Sequence, residues 1–221
     1  MPKPQRSPQE IEAVREDILH HALELIVQDG FQGFSMRKLA VRLGIAAKTI
    51  YNYYRNQDEL YLCILIKGFE QLHAAFEEAV RAAGQPLDQL EAAIRAYVDF
   101  GLANPHLYNL MFTWHVPKYN DYVGTAMEKA AFRELTVALK CADGFLKIMA
   151  ACLGEDRRAR DDDLRFEMIR IWSQMHGYVA GINNALLDYM HANPLALRAR
   201  IIDGLIRNTR QALQAMGAKR N

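Results

Sequence analysis

Two short helices joined by a tight glycine turn constrain the fold of this chain more than any other feature. Ser35 precedes apolar residues at helical spacing over residues 39–43, so its hydroxyl can accept a hydrogen bond from a free backbone N–H at the start of that helix. Gly44 ends the helix, because a residue without a Cβ adopts the left-handed conformation of such a turn at little cost. We expect Ile45 to return to the core and a second short helix to run from about residue 46 to residue 54.

The charge of this segment differs from that of the whole chain. Lysine plus arginine number 27 and aspartate plus glutamate number 26 over 221 residues, yet no acidic residue lies between Asp29 and Asp58. A surface of one charge indicates a partner of the opposite charge, and two short helices with a tight turn are typical of a helix-turn-helix DNA-binding motif. The cations of the segment are Arg37, Lys38, Arg42, Lys48 and Arg55.

The order of residues from Ser35 to Leu60 follows a family pattern, which runs, with gaps, Thr, Ile-Ala, Gly-Val-Ser, Thr-Leu-Tyr, an aromatic pair, Lys and Leu. The corresponding residues are Ser35, Leu39-Ala40, Gly44-Ile45, Thr49-Ile50-Tyr51, Tyr53-Tyr54 and Leu60. The segment therefore resembles the DNA-binding domain of the TetR family of bacterial transcriptional regulators. It departs from the pattern at Ala46, where a capping Ser is usual, at Lys48, where a small residue is common, and at Gln57, which replaces a Lys that typically meets phosphate.

The candidate DNA-binding residues divide into two groups. Arg37, Lys48 and Asn52 are the candidates for contact with base edges, because cationic and amide side chains hydrogen-bond to bases in the major groove. The residues expected mainly to hold the DNA backbone are Ser35, Thr49, Tyr51, Tyr53 and Gln57. Thr49 and Tyr51 have a structural alternative, since they could stabilise the small core or cap their own helix.

The rest of the chain is predicted to be helical, which gives an all-α fold of about nine helices. Ser7 to Glu10 forms a capping box with Pro at the first helical position, and this predicts a supporting helix as far as Asp29. Further helices are expected over residues 60–83, 88–103, 105–113, 121–153, 163–191 and 194–216. The sequence thus predicts a three-helix DNA-binding domain at 1–60 and a helical ligand-binding and dimerisation domain at 61–221.

Two segments of the second domain carry another resemblance. Residues 104–112 and 172–181 look like the regulatory domain of a TetR subgroup named for a Trp-His-Gly signature, carried here by Trp172, His176 and Gly177. Trp172 and His176 are four residues apart and share one helix face, while Gly177 could let another helix approach closely. A core histidine hydrogen-bonded to a neighbour is favoured for His176 over direct ligand contact, and packing is favoured for Trp172.

The resemblance implies an effector site in the second domain. Aromatic and methionine side chains suit an adaptable apolar pocket, although they equally fill an ordinary helical core. No cluster of Arg or Lys accompanies them, so we expect an apolar or amphipathic small molecule. The candidate lining residues are Tyr97, Met111, Trp114, Phe132, Trp172, Met175 and His176.

The resemblance also implies a ligand-responsive repressor that binds a palindromic operator as a homodimer. Two recognition helices related by a twofold axis can read half-sites in successive major grooves, about 34 to 36 Å apart. Apolar residues on the last two long helices permit a dimer there, although packing within one chain could absorb them. They are Ile171, Met175, Ile182, Leu186, Ile201, Ile202, Leu205 and Leu213.

Other classes of function fit the residues less well. His20 and His21 are adjacent and face different directions on a helix, and His106 and His115 have no clear carboxylate partner at ligand spacing. The sequence therefore predicts no enzyme, no cofactor and no metal site. A helical adaptor that binds only protein remains the alternative. It would account for the amphipathic helices but not for a capped helix-turn-helix with an exclusively basic side.

The sequence also predicts a cytoplasmic location. No apolar run approaches the roughly 20 residues that cross a bilayer, and the first ten residues lack the apolar centre of a secretory signal. The cysteines Cys63, Cys141 and Cys152 are scattered and form neither a disulfide framework nor a close metal-binding pair.

Overall fold

A computed structural model describes residues 7–153 and 161–218, which form ten α-helices and no strand. The predicted all-α class is confirmed. The helices are α1 Pro8–Asp29, α2 Met36–Arg42, α3 Ala47–Tyr51, α4 Gln57–Ala82, α5 Pro86–Ala103, α6 Pro105–Tyr108, α7 Tyr119–Tyr122, α8 Glu128–Cys152, α9 Asp161–Asn183 and α10 Arg198–Ala218. None of the helices in these ranges is long and apolar enough to cross a membrane.

Helix boundaries differ from prediction where the backbone takes an unusual conformation. The single helix expected over 121–153 is divided into α7 and α8, with Gly124 at φ 78° between them. The helix expected to reach residue 191 ends at Asn183, shortly before Ala185 at φ 55°. The helix over 105–113 is continuous, but its second half, Asn109–Thr113, is a π-helical turn. Positive φ angles interrupt a right-handed helix, and their positions are difficult to predict when the residue is not glycine.

The chain folds into two compact units, and the first contains the predicted helix-turn-helix. It comprises the described part of residues 1–67 together with residues 115–135. The capping box of α1 is present: the Ser7 hydroxyl accepts from the Glu10 N–H at 3.3 Å, and the Glu10 carboxylate accepts from the Ser7 N–H at 2.7 Å. Fully buried side chains from three helices form its core: Ile18, Ala22, Ile26, Leu39 and Ile50.

Residues 115–135 belong to the first unit because their side chains and backbone bond to the beginning of α4. The Tyr61 hydroxyl donates to the Pro117 carbonyl at 3.2 Å, and the Tyr122 hydroxyl donates to the Asp58 carboxylate at 3.3 Å. The Tyr61 ring also packs edge-on against Phe31, with ring centres 4.8 Å apart. The first unit is therefore larger than a three-helix domain.

The turn between α2 and α3 confirms most of the local prediction. The Ser35 hydroxyl accepts from the Lys38 N–H at 3.2 Å, and Gly44 adopts the left-handed conformation at φ 66°. The expectation for Ile45 was wrong, because its side chain is 37% exposed. The next helix, α3, is also shorter than predicted and begins after Ala46, which offers no side-chain cap.

The second unit comprises residues 68–114 and the described part of 136–221. Helices α5, α9 and α10 pack on one another around fully buried residues such as Ile94, Val98 and Val179. The close approach of α5 to its neighbours depends on Gly101. A Cβ at this position would lie 2.5 Å from Cγ1 of Val179 and 2.9 Å from Cδ2 of Tyr108.

This close approach makes Gly101→Ala destabilising. The added methyl has no space, so we expect the free energy of unfolding to fall by about 1 to 3 kcal/mol, measured by urea denaturation. The matched control is Gly204→Ala in α10, where the nearest atom to the new Cβ is Nη2 of Arg207 at 3.9 Å. That change should stabilise by up to about 1 kcal/mol through helix propensity. Equal effects at the two sites would contradict this account of the packing.

Candidate functional site

The outer face of α3 presents the predicted recognition residues together. Lys48, Tyr51 and Asn52 are exposed and spaced three and four residues apart, so they share one side of the helix. Ile50 points the other way and is fully buried. The ammonium, phenol and amide groups of these three side chains can donate hydrogen bonds to phosphates and to base edges.

The other predicted DNA-binding residues flank this face. Arg37 is exposed at the start of α2, whereas Ser35, Thr49, Tyr53 and Gln57 are half-buried. The Ser35 hydroxyl already caps α2, and Gln57 is the first residue of α4. The set therefore divides into an exposed group and a group held partly within the unit.

The five cations predicted to face an anionic partner differ in whether they already form ion pairs within the protein. Lys38 forms an ion pair with Asp29 at 2.7 Å. Arg42 pairs with Glu24 at 2.6 Å, and this hydrogen bond lowers the pKa of the Glu24 carboxyl. Within residues 7–153 and 161–218, the cationic side chains without such a pair in this segment are Arg37, Lys48 and Arg55. The positive surface available to phosphates is smaller than the sequence suggests.

Arg55 is a candidate that the predicted DNA-binding set omitted. It is exposed and follows the aromatic pair of the family pattern. Its backbone N–H donates to the Glu59 carboxylate, and the next residue, Asn56, accepts from the Glu59 N–H at 2.9 Å. These bonds fix the start of α4 while the Arg55 guanidinium stays in solvent. The sequence signal that could have identified Arg55 is its position between Asp29 and Asp58, where no acidic residue lies.

Arg15 of α1 holds the end of α3, and no local pattern predicts this. Its guanidinium donates to the Tyr53 carbonyl at 2.9 Å and lies 4.6 Å from the centre of the Tyr54 ring. The Tyr54 hydroxyl donates back to the Arg15 carbonyl at 3.2 Å. Burial raises the pKa of Tyr54, so its phenol remains neutral and keeps this donor. These contacts fix the orientation of the exposed face of α3.

The second unit contains an aromatic cluster formed by Tyr97, Tyr108, Phe112, Trp172 and His176. The Tyr97 and Tyr108 hydroxyls lie 2.9 Å apart, and the Tyr108 hydroxyl lies 2.8 Å from Nδ1 of His176. The Trp172 and His176 rings stack with centres 5.0 Å apart and an angle of 13°. His176 therefore has the expected hydrogen bond to a neighbour, but it is half-buried rather than in the core, and Trp172 is 38% exposed.

The effector candidates are only partly brought together. Tyr97, Trp172 and His176 meet in the aromatic cluster, and Met111 and Met175 are buried in the same unit. Trp114 is half-buried at the end of the π-helical turn. Sequence reasoning left Tyr108 and Phe112 out of the candidate set, although both lie among these rings.

Phe132 belongs to a different unit from the other effector candidates. It belongs to the first unit, is 57% exposed and packs against Tyr119 with ring centres 6.0 Å apart. It lines an open surface cavity of about 770 Å³. The other lining residues are Tyr119, Thr125, Ala126, Glu128 and Lys129.

Comparison with known proteins identifies the family. Residues 18–64 match bacterial regulatory proteins of the tetR family, and residues 90–205 match the tetracyclin repressor-like C-terminal domain. The chain belongs to the TetR family. The helix-turn-helix lies inside the first matched region, which confirms its resemblance to the TetR DNA-binding domain. The second region confirms a TetR-type C-terminal domain, while the Trp-His-Gly subgroup stays a prediction.

Individual TetR relatives differ in their named roles. The transcriptional activator FasR of Mycolicibacterium smegmatis is 29% identical over 147 residues, which cover 66% of this chain and 64% of FasR. The transcriptional repressor KstR of the same organism is 30% identical over 76 residues, covering 34% of this chain and 37% of KstR. These matches span less than two thirds of either relative.

A solved structure shares the fold. A tetR-family regulatory protein from Rhodococcus RHA1 superposes with a TM-score of 0.65 at 16% identity, covering 87% of this chain and 95% of that protein. The architecture of two helical parts is therefore common to this chain and to a TetR regulator of quite different sequence.

Lys48 and Lys38 provide a matched pair for testing which cations meet DNA. Lys48→Ala should weaken binding to a specific duplex by about 1 to 3 kcal/mol if Lys48 contacts a base, with a smaller loss on nonspecific DNA. Lys38→Ala should cost less, because Lys38 is occupied by Asp29. Fluorescence anisotropy at two salt concentrations measures both. Equal loss from Lys48→Ala on every duplex would reassign Lys48 to phosphate, and a larger loss from Lys38→Ala would contradict the division of cations.

Proposed function

We propose that this TetR-family protein is a ligand-responsive transcriptional regulator that binds a palindromic operator as a homodimer. Residues 1–60 would form the DNA-binding domain and residues 61–221 the ligand-binding and dimerisation domain. The observation that carries the proposal is the exposed face of α3, with Lys48, Tyr51 and Asn52 side by side on a helix whose opposite face is buried. A role on bacterial DNA requires a location in the cytoplasm, and no cofactor is needed for it.

The predicted contacts follow from the exposure of each residue. Arg37, Lys48 and Asn52 are exposed and suited to base edges, and exposed Tyr51 is suited to phosphate. The half-buried residues Ser35, Thr49, Tyr53 and Gln57 would contribute backbone contacts or keep the motif in shape. We add Arg55 as a further phosphate contact.

Selection of bound sequences from random duplex DNA tests the function directly. A dimer of these readers should enrich a palindrome whose half-site centres are about 10 base pairs apart or a multiple of that, since one helical turn spans about 34 to 36 Å. Lys48→Ala should remove the enrichment. If the unliganded protein enriches no sequence at low salt, the alternative of a helical adaptor that binds only protein is favoured.

Repression is the direction that the family resemblance implies. Expression of the protein should lower transcription of a reporter placed behind the selected operator, and effector should restore it. KstR is named a repressor and FasR an activator. A rise in reporter transcription would assign activation instead.

We propose that the effector is an apolar or amphipathic small molecule bound beside the aromatic cluster of the second unit. Tyr97, Trp172 and His176 meet there, and Met111 and Met175 are buried in the same unit. An effector changes operator affinity only by the difference in its affinity for the two conformations of the regulator. A thermal-shift screen followed by competition in the DNA-binding assay would identify it.

The dimer interface is proposed to be an exposed stripe on α9 formed by Phe166, Ile169, Ser173 and Gly177. Phe166 is 66% exposed and Ile169 is 58% exposed, and the spacing of the four residues places them on one helix face. A Cβ on Gly177 would have no atom of the described residues within 4 Å, so another helix could approach closely.

Most of the apolar residues that the sequence offered for the dimer interface are buried in the core of a single chain. Buried positions are Ile171, Met175, Ile202, Leu205 and Leu213; Ile182 and Ile201 are half-buried, and Leu186 is exposed. On α10 the exposed positions are largely polar, among them Arg200, Asp203, Arg207 and Gln211. This distribution favours α9 as the main apolar contribution to a dimer.

Ile169→Glu should weaken the dimer while leaving the fold intact. Burying an unpaired carboxylate in an apolar interface is costly, so we expect the dissociation constant of the dimer to rise on the order of tenfold or more by sedimentation equilibrium. The control is Leu139→Glu on α8, which replaces a similarly exposed apolar residue outside the stripe. If both variants dimerise like the wild type, α9 is not the interface.

A further inference from the structure

A hydrogen-bonded chain of three polar groups runs through the second unit from two buried tyrosines to the half-buried His176. Tyr97 on α5 and Tyr108 on α6 are buried, at 4% and 0% exposure, and their hydroxyl oxygens are 2.9 Å apart. Tyr108 also lies 2.8 Å from Nδ1 of His176 on α9. The chain therefore links three helices through hydrogen bonds whose direction is fixed by the available donors and acceptors.

The available donors and acceptors favour one direction for this hydrogen-bond chain. If Tyr97 donates to Tyr108 and Tyr108 donates to Nδ1 of His176, each hydroxyl hydrogen has an acceptor and the histidine carries its proton on Nε2. In the reverse direction, Tyr108 donates to Tyr97. The Tyr97 hydrogen then has no acceptor among residues 7–153 and 161–218, because the Tyr108 oxygen is the acceptor within its reach. The indole N–H of Trp172, stacked on His176, can only donate and cannot replace that acceptor.

We propose that His176 is a proton-sensing residue whose protonation reverses this hydrogen-bond chain, leaves the Tyr97 hydroxyl hydrogen unpaired in the core, and thereby loosens α5, α6 and α9. A protonated imidazole carries hydrogen on both nitrogens, so Nδ1 must donate to Tyr108 rather than accept. Tyr108 then has to donate to Tyr97. A buried donor without an acceptor destabilises the folded state.

No anionic side chain of the described residues compensates for a positive charge on His176, which is half-buried. The titratable groups of the hydrogen-bond chain on α5 and α6 are the phenols of Tyr97 and Tyr108, and α8 adds the thiol of Cys141, which interacts with Tyr97. The neighbouring rings are those of Phe112 and Trp172. Burial lowers the pKa of His176 below its ordinary 6.5, and no charged side chain of the described helices contributes to that shift. Burial also raises the pKa of both phenols, so neither can supply an anion.

The sign of the pH dependence follows from these observations. Because the pKa of His176 is lowered in the folded protein, the unfolded chain takes up the proton first as the pH falls. The stability contributed by neutral His176 is fully present above about pH 6.5 and is lost below it, toward the pKa of the folded state.

The variants Tyr108→Phe and Tyr97→Phe distinguish an effect of the hydrogen-bond chain on the pKa of His176 from an effect of burial alone. Each removes one hydroxyl oxygen, but only Tyr108→Phe removes the partner of His176. In Tyr108→Phe protonation no longer strands a hydroxyl, so the pKa of His176 should rise toward its ordinary value. In Tyr97→Phe protonation strands the Tyr108 hydroxyl instead, so the pKa should stay low. Both are measured on the full chain by NMR of ¹⁵N-labelled histidine, with His176→Asn to assign the signal among the seven histidines.

Three results would overturn the proposal. The pKa of His176 could shift equally in the two variants or in neither, which would make burial its only cause. The ¹⁵N shifts of the wild type could place the neutral-state proton on Nδ1. Finally, His176→Asn, which keeps an acceptor for Tyr108 but does not titrate, could lose as much stability between pH 7 and pH 5 as the wild type. None of these measurements needs DNA or effector, so they are independent of the proposed function.

Discussion

The exposed face of α3 depends on the anchoring of that helix to α1. Isolated helices shorter than about 12 to 15 residues are marginal in water, and α3 has five residues and no side-chain cap at its start. Burial of Ile50 and Tyr54 supplies the apolar contacts, and Arg15 binds the Tyr53 carbonyl and the Tyr54 ring. The exposed face of α3 therefore owes its shape to tertiary contacts rather than to helix propensity.

The same principle governs the charges of the motif. Lys38 and Arg42 neutralise carboxylates of α1 and fasten α2 to it, while Arg37, Lys48 and Arg55 remain in solvent. Exposed ion pairs contribute little to stability, but they remove two cations from the set that would meet phosphate. A count of basic residues overestimates the charge available for DNA binding, since part of it supports the motif itself.

In the second unit, close packing and a few internal polar groups define the arrangement of α5, α6 and α9. Gly101 permits close contact with Val179 and Tyr108, and the amides of Asn109 and Asn184 exchange hydrogen bonds at 3.1 and 3.2 Å. The hydroxyl chain that ends at His176 adds a direction-dependent element to this core. A network in which every donor is satisfied in one direction holds one conformation firmly and responds sharply to an added proton.

Local signals determined the all-α class, the caps at Ser7 and Ser35, and the left-handed turn at Gly44, because each depends on residues a few positions apart. The family pattern depends on such spacing too, and it identified the helix-turn-helix. Only the tertiary structure decided that Ile45 is exposed, that Lys38 is paired and that Phe132 lies in a different unit from Trp172. Arg15 reaches Tyr53 across 38 residues, and Tyr108 reaches His176 across 68. Contacts between residues so distant leave no periodic trace in the sequence, since they are set by how whole helices pack.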